Sequence, residues 1–84
     1  MVATDKAIYN DEYRQLINSL TSYRKASGIT QEELSKRSGI PRYDISKTEN
    51  FVRELSILEL DRWLDGLGIE AGVVSYIKSK LKNI

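Results

Sequence analysis

An all-α fold of five short helices is what this 84-residue sequence predicts. Three observations lead there. Apolar residues recur at helical spacing in several separate stretches, as in Tyr13, Leu16, Ile17 and Leu20. Ser/Thr-x-x-Glu capping signatures occur at Thr30–Glu33 and Ser56–Glu59, and glycines stand where the periodic stretches stop. No stretch reads as an alternating strand, and no internal repeat or low-complexity segment interrupts the chain.

The elements follow in order. Residues 1–9 read as a flexible N-terminal arm, with Ala3, Ala7 and Ile8 available for weak packing. The folded unit is then a single domain over residues 10–84. Asn10 or Asp11 caps the first helix, which ends near Ser27-Gly28, where Gly28 supplies a left-handed stop. The Thr30 hydroxyl and the Glu33 carboxylate form a capping box that opens a second helix, stopped by Gly39. Pro41 suits the first position of a third helix, because a missing N–H costs nothing there. That helix runs to Thr48 or Glu49. Ser56 and Glu59 open a fourth, with Ile57, Leu60, Trp63, Leu64 and Leu67 inward and its end weakened by Gly66 and Gly68. Val73, Val74, Ile77 and Leu81 stripe the last helix.

Composition removes whole classes of chemistry. The chain has no cysteine and no histidine, which excludes disulfides, thiolate chemistry, zinc fingers and histidine acid–base catalysis. No apolar run reaches the roughly 18 residues of a membrane span. The N-terminal stretch lacks the basic and apolar regions of a secretory signal, so a cytoplasmic protein is expected. No glycine-rich phosphate loop or nucleophile–base pair is visible, and Asp61 and Asp65 read as solvated carboxylates on one helical face. An enzyme is not expected, nor a metal or other cofactor. The net charge is only +1, yet it is unevenly spread. Arg24, Lys25, Lys36, Arg37, Arg42 and Lys47 outnumber Glu32, Glu33 and Asp44 across the middle. From Arg53 to Glu70 acidic residues outnumber Arg53 and Arg62, and Lys78, Lys80 and Lys82 follow. A nearly neutral chain polarised in this way can still present one basic face, although mixed solvated faces would give the same totals.

The third helix carries the functional signal. With Ile45 inward at about 100° per residue, Pro41, Thr48 and Glu49 lie near it. Tyr43, Ser46, Lys47 and Asn50 lie opposite, with Arg42 on the flank of the first turn. A guanidinium, a phenol, a hydroxyl, an ammonium and an amide on one face are groups that bond base edges and phosphates. Periodicity also turns Arg24 inward, four residues after Leu20, and leans Glu49 inward. Two inward charges are costly unless they meet, and two separate exposed charges are the alternative.

From about Tyr13 to Ile69 the sequence resembles the Cro/repressor (Xre-like) helix-turn-helix family. The residues that carry the resemblance are Thr30-Gln31, Leu34, the small Ser35, the turn residue Gly39, Ile40, Ile45, the closing pair Glu49-Asn50, and a downstream helix ending in Leu67-Gly68-Ile69. It implies a five-helix bundle of the lambda-repressor type that binds double-stranded DNA. It also implies an ion pair between Arg24 and Glu49, and phosphate contacts from Gln31 and Asn50. The base-reading candidates are Arg42, Tyr43 and Lys47, then Ser46 and Asp44. Lys36 is a further phosphate candidate, though a plain solvated lysine would look the same. Departures from the family pattern are Ser38 and Thr48 at usually apolar positions, an acidic Asp44, and a loop reading Phe51-Val52-Arg53-Glu54-Leu55 where basic residues are usual. Phe51 replaces a glycine, so Asn50 is expected to take the left-handed cap itself.

One module of this size offers little interface for specificity, so a homodimer is expected. Val73, Val74, Ile77 and Leu81 are the candidate dimer surface, with Trp63 or Leu67 beside it, and packing of the last helix on its own core is the alternative. A protein-interaction module, such as the antitoxin of a toxin–antitoxin pair or an adaptor, is the competing function. Asp44 and the apolar Phe51-Val52 favour it.

Overall fold

A computed structural model describes residues 7–81 of the chain, and among them the only regular structure is helical. A single 3-10 turn, Ala7–Tyr9, precedes α1 (Asp11–Ala26), α2 (Gln31–Ser38), α3 (Arg42–Glu49), α4 (Ile57–Gly66) and α5 (Val73–Lys80). Of the arm expected over residues 1–9, residues 1–6 lie outside the described set. The last three form the 3-10 turn, tied to α1 by Arg14 Nε donating to the Ile8 carbonyl at 2.6 Å.

The caps explain why the helices start where they do. Asn10 Oδ1 accepts the Tyr13 N–H at 2.9 Å. The Ser56–Glu59 box closes in both directions, at 3.1 Å each way. At Thr30 only half of the expected box forms. The hydroxyl accepts the Glu33 N–H at 3.0 Å, but the Glu33 carboxylate reaches forward to Arg37 Nη2 at 3.2 Å instead. An exposed i,i+4 partner has outcompeted the return bond. Pro41 is the cap of α3 rather than its first helical residue: its φ of −56° would suit the helix, but its ψ is 139°. It is also exposed, not inward.

Three helices end in the same hydrogen-bond pattern, in which the N–H groups of the two residues after the cap return to the last turn. For α1 these bonds are Gly28 to Lys25 and Ile29 to Arg24. For α4 they are Gly68 to Asp65 and Ile69 to Leu64, and for α3 they are Phe51 to Thr48 and Val52 to Lys47. The motif requires positive φ at its first residue after the cap. Gly28 (φ 73°) and Gly68 (φ 75°) supply it freely, whereas in α3 it falls on Phe51 (φ 60°). Asn50, expected to take that conformation, has φ −96° and stays on the helix side as the cap. The Phe51 ring packs against the core, and Arg14 Cζ lies 4.5 Å from its centroid, which offsets the left-handed backbone.

The core is built from Leu16, Ile17 and Leu20 of α1, Leu34 of α2, Ile45 of α3, Leu60, Trp63 and Leu64 of α4 and Tyr76 of α5, closed by Ile29, Ile40 and Leu67 from the connections. The two polar residues at usually apolar positions are accommodated by local bonds. Ser38 Oγ accepts the Ile40 N–H at 3.1 Å, and Thr48 Oγ1 donates to the Asp44 carbonyl at 2.8 Å. α2 crosses α4 at Gly66, where an added Cβ would sit 2.9 Å from Leu34 Cδ1. Gly66 therefore sets the approach of these helices as well as weakening its own. Because the crossing lies at the C-terminal end of α4, the first turn overhangs, and Ile57, expected inward, is 72% exposed. In α5 the inward face is Val73, Tyr76 and Ile77, followed by Leu81.

Candidate nucleic-acid interface

The turn between α2 and α3 is short and internally pinned. Gly39 adopts φ 78° and its N–H returns to the Ser35 carbonyl at 2.9 Å. Ile40 and Ile45 then anchor the start of α3 in the core, so the helix leaves the turn in one direction.

Its far end is held by a buried ionic network. Arg24 Nε donates to Glu49 Oε2 at 2.7 Å and Nη2 to Oε1 at 2.9 Å, while Nη1 reaches the Ile29 carbonyl at 2.8 Å. The side chains are 8% and 5% exposed. Gln31 Nε2 adds a fourth bond, to Glu49 Oε1 at 2.9 Å. One carboxylate thus ties α1, the first residue of α2 and the last residue of α3 together. The bidentate geometry fixes the angle between them.

α3 turns its opposite side to solvent. Arg42 is exposed, Tyr43 is 71% exposed, and Lys47 Nζ lies 5.0 Å from the Tyr43 ring centroid. The ammonium rests over the phenol ring, a contact that brings the two side chains together on the same side of α3. Ser46 is half-buried, and its carbonyl accepts Asn50 Nδ2 at 2.8 Å. That bond commits part of the Asn50 amide to the helix end. Gln31 is likewise partly engaged, through Glu49. Lys36 is exposed on α2. Thr30, Gln31, Glu32 and Arg42 line an open recess together with Arg24.

Arg53, which sequence reasoning passed over, is the hub beside α3. Its guanidinium pairs with Glu59 through Nη2–Oε2 and Nη1–Oε1, the latter at 3.1 Å. Nη1 also lies 3.3 Å from Thr48 Oγ1, and Nε is 3.7 Å from Asp44 Oδ1. The hydrogen bond from Arg53 holds the Glu59 carboxyl below its ordinary value and raises Arg53 in turn. Tyr13 steadies the same loop: its hydroxyl accepts the Leu55 N–H at 2.8 Å, and burial pushes the phenol up. The one available signal was the Ser56–Glu59 box, which fixes a carboxylate six residues after Arg53. Loop geometry has no periodicity from which their meeting could be read.

The four residues expected to form a dimer surface divide. Leu81 is buried, Val73 and Ile77 pack against the chain's own core, and only Val74 is exposed. Trp63 and Leu67, considered as neighbours of that surface, are buried in the core. No helix among the described residues is long and apolar enough to cross a membrane, and no group of three or more acidic residues there is placed to hold a metal ion.

A comparison with protein-family models matches residues 20–74 to the Helix-turn-helix family. Searches of curated proteins and of solved structures find no match. The matched stretch runs from Leu20 in α1 through the turn and α3 into α5 and spans most of the chain. This match, laid over helices in the order just described, assigns the protein to the Cro/repressor (Xre-like) helix-turn-helix family of DNA-binding regulators.

Proposed function

We propose that this protein is a sequence-specific, double-stranded DNA-binding transcriptional regulator of the cytoplasm that inserts α3 into the major groove. The observation that carries the reading is the outward side of α3, where Arg42, Tyr43 and Lys47 are presented together on a helix that cannot tilt without breaking a buried ion pair. Arg42 and Lys47 suit guanine acceptors, and the Tyr43 ring and hydroxyl suit either a thymine methyl or a base edge. Ser46 and Asp44 complete the base-facing set. Gln31, Asn50 and Lys36 flank it at positions suited to phosphates, and the free N–H groups at the start of α2 favour an anion there. The partly committed amides of Gln31 and Asn50 arrive pre-oriented, which reduces the ordering cost of such contacts.

Selection of duplexes from a random pool at defined salt tests the reading. An enriched motif that loses preference at single positions in Arg42→Ala, Tyr43→Ala and Lys47→Ala supports it, and no enrichment over bulk DNA refutes it. Two copies on one site would place their α3 helices about 34 Å apart, one turn of DNA. Since α5 leaves only Val74 exposed from its expected surface, a homodimer would need apolar area elsewhere.

A second reading, a protein-interaction module such as an antitoxin or adaptor, is favoured by one observation. Val52 is 63% exposed and Ile57 and Leu58 are each 72% exposed, all between the end of α3 and the first turn of α4. Substitutions there that abolish capture of a toxin or other protein partner, while Tyr43→Ala leaves DNA selectivity intact, would favour this reading.

A further inference from the structure

A carboxylate on a helix that meets DNA should be repelled by the phosphates. Asp44 stands on the flank of α3, half-buried, in the same first turn as Arg42 and Tyr43. Its setting differs from that of a free surface acid in two respects. The Arg53 guanidinium lies beside it, and that group is positioned by other residues: the Glu59 carboxylate, the Thr48 hydroxyl and the Glu54 carbonyl. At 3.7 Å the contact with Asp44 is Coulombic without being a hydrogen bond. Among the described residues, no donor bonds the Asp44 carboxylate. Its charge is therefore offset in part, by a guanidinium shared with Glu59, while both oxygens keep their capacity to accept.

We propose that Asp44 and Arg53 work as one reading unit, an inference that rests on the DNA-binding function proposed above. Asp44 accepts a hydrogen bond from the exocyclic amino group of a base, cytosine N4 in the major groove. Arg53 touches no base. It is a positioning residue that partly offsets the carboxylate from the loop side, so that the acid is tolerated beside the phosphates. Glu59 and Thr48 hold the guanidinium still, which keeps the balancing charge at Asp44 when the duplex approaches.

The test uses the full chain, the duplex motif selected by the wild type, and four variants: Asp44→Ala, Arg53→Gln, Arg53→Lys and Asp44→Ala/Arg53→Gln. Glutamine retains donors for Glu59 and Thr48 while removing the charge, and circular dichroism melting reports the folded fraction of each. Asp44→Ala is expected to lose preference for cytosine at one motif position and keep the others. Arg53→Gln is expected to weaken binding about tenfold at every site, as an unbalanced carboxylate beside phosphate should, and Arg53→Lys to restore most of it. In the Asp44→Ala background, Arg53→Gln should cost clearly less than in the wild type, because only Glu59 is then left without its guanidinium, whereas in the wild type Asp44 on α3 is left as well. A merely structural Arg53 would cost the same in both backgrounds, and that result overturns the proposal, as does a cytosine preference that survives Asp44→Ala. A wild type that selects no motif refutes the DNA-binding reading itself. A selective wild type without the coupling refutes only the Asp44–Arg53 unit.

Discussion

Removing the Glu49 carboxylate tests the reasoning about α3 most directly. Glu49→Ala would leave the Arg24 guanidinium 8% exposed in the native packing, with two of its three hydrogen bonds gone and only the Ile29 carbonyl remaining. Gln31 would lose its partner as well. Breaking one side of a buried pair costs about 3–5 kcal/mol, because the orphaned charge cannot regain its hydration without unfolding. Total stability for a domain of 84 residues is roughly 4–13 kcal/mol. The substitution therefore takes a large share of it and should lower the melting temperature by at least about 12 °C. Thermal and urea denaturation followed by circular dichroism measure the loss. The double variant Arg24→Met/Glu49→Leu is the control: with neither charge present, most of the stability should return. A loss below about 1 kcal/mol in Glu49→Ala, the value of an exposed pair, would refute the claim that this network holds α3 in place.

Four further outcomes are expected. Glu59 has its carboxyl held below the ordinary value of 4.5 by the Arg53 hydrogen bond, so its stabilising contribution is complete above that pH and is lost as pH falls through the depressed folded-state value. Acid titration of the fold should show this step, and Glu59→Gln should flatten it. At position 51, where φ is 60°, Phe51→Gly should be more stable than Phe51→Ala by about 1 kcal/mol in denaturant unfolding, the reverse of the order in a helix interior. Gly66→Ala should destabilise by about 1–2 kcal/mol despite its better helix propensity, since the new methyl meets Leu34 Cδ1 and Leu34 is fully buried. On DNA, Lys36→Ala should lower the slope of log affinity against log salt by about one if Lys36 sits on a phosphate, whereas Tyr43→Ala should flatten base preference and cost about 1–3 kcal/mol at the selected site.

The five helices, the caps at Thr30 and Ser56, and the outward side of α3 were legible in the sequence, which left the first cap between Asn10 and Asp11. These follow from local physics: helical spacing, side-chain oxygens that bond free N–H groups, and glycines that leave the helix. Periodicity turned Arg24 and Glu49 inward, and the resemblance to the helix-turn-helix family implied the ion pair that they form. Packing settled the rest, wherever local preferences left equivalent options. Either Asn50 or Phe51 could end α3 with positive φ, and the choice fell on Phe51 because its ring finds the core and Arg14. Ile57 belongs to the inward stripe of α4 by spacing, but α2 meets that helix at Gly66 near its other end, and Ile57 is left largely exposed. Val73, Ile77 and Leu81 could equally have faced a second copy. The chain's own core took them, together with Tyr76, whose hydroxyl is buried without a hydrogen-bond partner among the described residues and whose phenol burial pushes up. The Arg53 hub was the least legible, since Asp44, Thr48 and Glu59 are brought to it by a loop conformation and a helix crossing, and no periodicity in the chain encodes either.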